Sequence, residues 1–173
     1  QACLVWLALG IVDNYLSKPD FDVLAQVMTT WDFPWFYQSQ LNNYHVDTLD
    51  CYLTHLFFEN LKEDGSIMGY SKYANILEPI LKKLNPRSLI RIKANLYTNT
   101  PEVMQHKHHT DYNYKHKGAI FYVNTNNGFT ILENKIKIKS IANRMLFFDA
   151  HKPHASTSTS DQKIRVNINF NYF

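Results

Sequence analysis

From Ser88 to Phe173 the chain is cut into short segments that alternate apolar and polar residues, each closed by turn-forming residues. The stretch Leu89-Ile90-Arg91-Ile92-Lys93-Ala94-Asn95-Leu96-Tyr97 alternates with the two-residue period of a strand. Further strand-like segments follow at Gly118 to Asn124, Phe129 to Leu132, Lys135 to Lys139, Arg144 to Phe148 and Lys163 to Phe173. Thr125 to Gly128, Glu133-Asn134 and Ser156 to Asp161 separate them with turn chemistry. Short strands at this spacing predict an antiparallel sandwich or jelly roll.

The first half is mixed. Ile11 to Leu16 reads as a short strand running into a turn, and Ser17, Pro19 and Asp20 supply helix-start residues for a helix ending near Thr29. Phe33 to Gln38 and Tyr52 to Phe58 have the aromatic and β-branched bias of strands. Tyr73, Ile76, Leu77, Ile80, Leu81 and Leu84 recur at helical spacing, which predicts one helix over Ser71 to Leu84, stopped by Asn85-Pro86. No repeat or linker divides the 173 residues. The expectation is a single α+β, mainly β domain over 1–173. Helical and strand support covers about 11–87, and a double-stranded β-helix (jelly-roll) core with N-terminal helices outside it covers about 88–173.

Composition narrows the function. A net charge of +3 with no dense basic stripe argues against a nucleic-acid binder. No apolar run reaches the length of a membrane span, and the apolar start from Ala2 to Leu9 lacks the basic flank and cleavage site of a signal peptide. Cys3 and Cys51 form no disulfide framework, so the reading is reduced and cytoplasmic. The 11 Tyr and 11 Phe suit a sandwich interior or a substrate groove.

The chemistry-bearing motif is His109-Thr110-Asp111. Two side chains two positions apart on an extended strand share a face, and one more imidazole from a neighbouring strand would complete a two-His-one-carboxylate triad with open metal positions. His45-Val46-Asp47 matches the same pattern, but it precedes the strand-rich core, whereas His109 lies within it. The distal imidazole has two candidates after the Arg144 to Asp149 segment. His151 sits in the turn, and His154 begins the small-residue strand Ala155-Ser156-Thr157. Arg165 follows His154 by 11 residues, one turn and return away.

Asn143-Arg144-Met145-Leu146-Phe147-Phe148-Asp149, then His154, then Arg165-Val166-Asn167-Ile168-Asn169-Phe170, resembles the C-terminal half of prolyl-4-hydroxylase-like iron(II)- and 2-oxoglutarate-dependent oxygenases. His109-Thr110-Asp111 resembles their N-terminal ligands, and Ala119 to Asn124 the strand between the two halves of their site. The resemblance covers about Ser88 to Phe173. His154-Ala155-Ser156 lacks the Gly usual shortly after the distal His, which leaves the substrate side open.

The resemblance implies metal ligation of Fe(II) by His109, Asp111 and His154, and 2-oxoglutarate as co-substrate with its far carboxylate on Arg165. Tyr122 would add a hydroxyl there and Tyr97 a contact from the other side. It also implies molecular oxygen as a reactant, ascorbate as a supporting reductant, and hydroxylation of a peptide, protein or small molecule, with a prolyl residue as the leading substrate class. His106, His108 and His116 are expected to be exposed beside the pocket mouth, Asn95, Asn167 and Asn169 to line the pocket or bond at a strand edge, and Asp149 to fix the turn before His154. A cupin-like metalloprotein without 2-oxoglutarate and a jelly-roll binding or structural module are the competing readings. Arg165 argues against the first, because a site without a dicarboxylate has no need of that cation.

Overall fold

The computed structural model describes residues 10–38, 52–60, 71–133 and 135–173. Cys3, Cys51, the opening apolar segment and the His45-Val46-Asp47 match lie outside these residues. The elements are β1 (Gly10–Val12), α1 (Lys18–Thr29), β2 (Phe36–Gln38), β3 (Tyr52–Glu59), α2 (Glu78–Leu84), β4 (Leu89–Thr98), β5 (Lys117–Tyr122), β6 (Phe129–Leu132), β7 (Lys137–Lys139), β8 (Arg144–Phe148), β9 (His154–Ala155) and β10 (Ile164–Tyr172). They form two antiparallel sheets, a seven-stranded one in the order β1-β8-β5-β10-β4-β3-β2 and a three-stranded one in the order β7-β6-β9. The described residues are thus mainly β, as the alternation predicts, with two α-helices among them. Among the described residues no helix is long and apolar enough to cross a membrane.

Strand alternation sorts the large sheet into two faces. Ile92, Ala94 and Leu96 of β4, Ala119 and Phe121 of β5, Met145 of β8, and Val166, Ile168 and Phe170 of β10 join one core with Leu24 and Met28 of α1 and Ile80 of α2. The intervening residues Ile120, Tyr122, Leu146 and Phe148 form a second, smaller core with Leu132 of β6 and Ile138 of β7. The small sheet therefore covers the face that the helices leave open. On that second face β4 and β10 carry polar residues in register: Arg91 opposite Asn171, Lys93 opposite Asn169, Asn95 opposite Asn167, and Tyr97 opposite Arg165.

Two local expectations change. The helix expected over Ser71 to Leu84 is a 3-10 turn, Ala74–Leu77, followed by the seven-residue α2. Pro79 has no N–H to give the carbonyl of Asn75, and its ring would clash there. Instead the Glu78 N–H takes the Asn75 carbonyl in a tighter turn. Residues 99–116 form no regular strand. Single bridges at Asn99–Thr159, Gln105–Thr157 and His109–His154 stitch that stretch to the segment around β9.

Asn143 anchors the N-terminal segment to the sheet. It adopts a left-handed backbone (φ 61°), which an Asn tolerates better than most residues. Its side chain accepts from the Leu16 N–H at 2.8 Å and donates to the Leu16 carbonyl at 2.9 Å, while its own carbonyl accepts from the Tyr15 N–H. Asn143→Ala strands two buried backbone groups of Leu16. It should lower stability by about 2–4 kcal/mol, read as a shifted midpoint in urea unfolding.

Candidate metal centre

The backbone builds this site before the side chains do. His109 and His154 exchange both backbone hydrogen bonds at 2.9 Å, so their Cβ atoms stand side by side, and the Asp111 N–H reaches the Ala150 carbonyl at 3.3 Å. One ligand atom from each of His109, Asp111 and His154 lies within 4.8 Å of the others, so the trio could hold a metal ion. His154 Nε2 is 3.7 Å from Asp111 Oδ2, and His109 Nε2 is 4.0 Å from Asp111 Oδ1. The imidazole rings sit 4.6 Å apart.

Neighbours fix the orientation of two of the three. His154 Nδ1 lies 3.0 Å from the Lys152 carbonyl, so it carries the hydrogen and its Nε2 lone pair is left facing Asp111. Phe148 packs edge-on against the same ring. Asp111 accepts from Arg91 Nη2 on Oδ1 and from Asn169 Nδ2 on Oδ2, both at 3.0 Å. Each carboxylate oxygen keeps a further lone pair for a cation. Burial alone would raise the Asp111 carboxyl pKa. His154, Arg91, the Asn169 hydrogen bond and His109 outweigh it and hold it below the ordinary value. Burial, with the neighbouring His154, pushes His109 down to about 4. A neutral imidazole beside an ionised carboxylate is the protonation state that a divalent metal needs. His151, the rival distal imidazole, is not part of the cluster.

The cavity around this trio is lined by Tyr52, Lys93, Asn95, Tyr97, Ile120, Thr130, Ala155, Ser156, Asn167 and Asn169 as well. Asn95, Asn167 and Asn169 thus line the pocket. They are not at a strand edge, because β10 lies between β5 and β4 in the middle of the sheet.

Arg165 stands directly behind the wall of this cavity, with none of its surface exposed. Its Nε donates to Ser140 Oγ at 2.8 Å, and its Nη1 to Ser156 Oγ at 2.7 Å and to the Thr157 carbonyl at 3.3 Å. Nη2 makes only a 3.4 Å contact with Thr130 Oγ1, so one of the five N–H groups of the guanidinium has no partner. Tyr97 and Tyr122 stack over it at 5.3 and 6.0 Å. The Tyr122 hydroxyl donates to Thr130 Oγ1 at 2.7 Å. Tyr97 stacks on Tyr52 at 5.7 Å, closing the side of the cavity. Among the described residues no carboxylate pairs with Arg165. Gly128 is what lets the arginine lie there, because a Cβ on it would come within 2.5 Å of Arg165 Cδ.

Five residues differ from their sequence reading or escaped it. His106 and His116 are buried, not exposed. His106 packs on Tyr97 at 5.1 Å, and His116 holds Asn171 Oδ1 at 2.9 Å. Arg91, Lys93 and Thr130 were not singled out as site residues. Their signal was present in the alternation of β4, where Arg91, Lys93, Asn95 and Tyr97 share a face, but alternation does not say that a second sheet covers that face.

No family model matches this sequence, and no curated protein matches it. Solved structures do. A prolyl hydroxylase from Trichoplax adhaerens, in complex with a hypoxia inducible factor oxygen degradation domain peptide, is 16% identical with a TM-score of 0.66, the match covering 96% of this chain and 83% of that one. The viral collagen prolyl hydroxylase of Paramecium Bursaria Chlorella virus-1, as a 2-oxoglutarate complex, is 14% identical with a TM-score of 0.61 over 95% of both chains. A 2OG-Fe(II) oxygenase family oxidoreductase from Burkholderia pseudomallei is 9% identical with a TM-score of 0.61, covering 95% of this chain and 84% of that one. This chain has their fold.

The buried imidazoles set a pH dependence for the metal-free chain. His106 is pushed down to about 4 by burial, then by Arg165 and His109, and His109 lies at about 4 as well, both from an ordinary 6.5. The unfolded chain therefore binds these protons more readily. The contribution of these two imidazoles to stability is complete above about pH 6.5 and falls as pH drops toward 4. Thermal unfolding in EDTA should show a lower midpoint at pH 5.0 than at 7.5, with a flatter dependence in His106→Gln.

Proposed function

We propose that the chain is an iron(II)- and 2-oxoglutarate-dependent dioxygenase, a hydroxylase of the prolyl-4-hydroxylase-like kind. On this reading 1–173 is one domain, with a double-stranded β-helix core from about 88 and supporting elements from about 11 to 87. The observation that carries it is Arg165, a fully buried guanidinium without a carboxylate partner among the described residues, set behind a cavity that also contains two imidazoles and one carboxylate. A buried cation costs several kcal/mol to desolvate unless an anion meets it. Hydroxyls of Ser140, Ser156 and Thr130 and the faces of Tyr97 and Tyr122 offset part of that cost. A dicarboxylate with one end at the metal ligands and the other toward Arg165 would supply the missing charge.

His109, Asp111 and His154 fit Fe(II): nitrogen and oxygen donors, three in number, leave positions for co-substrate and oxygen. Bound there, iron supplies oxygen activation, coupled to oxidative decarboxylation of 2-oxoglutarate to succinate and carbon dioxide and to hydroxylation of the substrate. The chain's own residues do the positioning. The Lys152 carbonyl orients His154, and Arg91 and Asn169 hold the Asp111 carboxylate in place. Thr130, with the Tyr122 hydroxyl behind it, and Arg165 receive the far carboxylate of 2-oxoglutarate. The stacked pair Tyr52 and Tyr97 excludes water from one side. The fold shared with prolyl hydroxylases, one solved with 2-oxoglutarate and one with a peptide, supports the same classes of ligand here, with a prolyl residue of a peptide or protein as substrate.

The test is succinate release with Fe(II), ascorbate and 2-oxoglutarate. Asp111→Ala should abolish it while urea unfolding remains cooperative; wild-type turnover in that variant would refute the assignment. Arg165→Lys keeps the charge but loses the planar fork. Its apparent KM for 2-oxoglutarate should rise about tenfold or more, and an unchanged value would remove Arg165 from the co-substrate site.

A further inference from the structure

Lys93 and Asn169 face each other across the β4–β10 pairing, and both line the metal-site cavity. The Lys93 ammonium lies 6.0 Å from the centre of the Tyr52 ring and makes no ion pair with a carboxylate among the described residues. Burial, then the Arg91 charge, brings its pKa down to about 8, against the opposing pull of Asp111 and Glu59. It is therefore still mainly charged at neutral pH, within a polar cavity whose one carboxylate, Asp111, is paired with Arg91 and not with Lys93.

Asn169 is buried, with 7% of its surface exposed. Its Nδ2 donates to Asp111 Oδ2. An ionised carboxylate only accepts, so this bond fixes which way the amide points. Its Oδ1 is left buried with no hydrogen-bond partner. Such an orphan acceptor costs about 1–3 kcal/mol while it stays unmet. The cavity thus offers, side by side, a cation without an ion-paired anion and an acceptor lacking a donor.

Neither group is placed to serve the far end of 2-oxoglutarate. Arg165 lies four residues before Asn169 on β10, about 13 Å along the strand. The Tyr97 position opposite Arg165 is equally far from Lys93 on β4. The two cations are therefore well separated along the strands, with the Asn95–Asn167 pair between them.

We infer that the substrate presents a free carboxylate to Lys93 and an N–H to Asn169 Oδ1. The substrate class is an amino or imino acid with a free α-carboxylate, either as the free molecule or, for residues other than proline, whose peptide-linked nitrogen has no N–H, as the carboxyl-terminal residue of a peptide. An internal peptide residue offers only a neutral carbonyl, which leaves Lys93 without its anion, and an internal prolyl residue has no N–H either. This inference rests on the oxygenase reading of the same cavity and, within it, narrows a prolyl substrate to the free imino acid.

The experiment uses the full chain loaded with redox-inert Zn(II) and saturated with N-oxalylglycine, a 2-oxoglutarate analogue. Calorimetry then compares the proteinogenic amino acids, each as free acid and as primary amide, with Gly-Xaa dipeptides in the same two forms. At least one acid should bind at least about tenfold tighter than its amide, and the free and dipeptide arms separate the two sources of the carboxylate. Lys93→Met should erase that preference, Lys93→Arg should restore it, and both should leave the N-oxalylglycine Kd unchanged. Equal binding of every acid and amide pair overturns the inference, as does a preference that survives Lys93→Met. Weaker N-oxalylglycine binding in Lys93→Met also overturns it, by assigning Lys93 to the co-substrate. Failure of the wild-type chain to bind N-oxalylglycine overturns the oxygenase reading, and this inference falls with it.

Discussion

Two neighbouring strands, β4 and β10, determine most of what this molecule can do. Their even-numbered residues, Thr98 aside, are apolar and seal the large sheet against the helices, while their odd-numbered residues are almost all polar and are forced by the pleat onto the other face. A polar face on central strands is stable only if it is covered by something that satisfies it. The three-stranded sheet and the residues just past its strands provide hydroxyls and a carbonyl for part of it, and the segment at 105–111 provides His109 and Asp111 for the rest. The cavity is what remains between these layers. Its chemistry follows directly from the residues that strand geometry placed there.

The buried charges are only partly matched by their neighbours. Asp111 has Arg91 on one oxygen, yet both imidazoles also approach it. Arg165 rests among hydroxyls and aromatic faces. Folding alone would favour a tighter match, such as a carboxylate beside Arg165. Leaving charge unmatched lowers the stability of the empty protein and makes binding of complementary anions more favourable by a similar amount.

Much of this was legible in the chain itself. The strand pattern after Ser88 gave the antiparallel architecture, because a two-residue period survives in short segments. His109, Asp111 and His154 could be chosen over their rivals because they fall where those strands converge. Less was legible where the decisive fact was coverage. Alternation places Arg91, Lys93 and Asn169 on one face but does not reveal whether that face meets water or another sheet. His106 and His116 look like ordinary polar loop residues, and only the packing of Tyr97 and Asn171 against them shows that they are buried. The break at Pro79 was readable from the missing N–H, but the helical spacing of the surrounding apolar residues masked it.

The paired backbone bonds between His109 and His154 carry a thermodynamic consequence. Residues 99–116 lack a regular ladder and are joined to the β9 region through a few isolated bridges. A cation gripped by His109, Asp111 and His154 would act as a cross-link between distant parts of the chain. It would close a long loop and withdraw conformational freedom mainly from the unfolded ensemble. Metal loading would then be part of how the polypeptide holds its shape, and the segment carrying two of the three ligands would be the first to loosen without it.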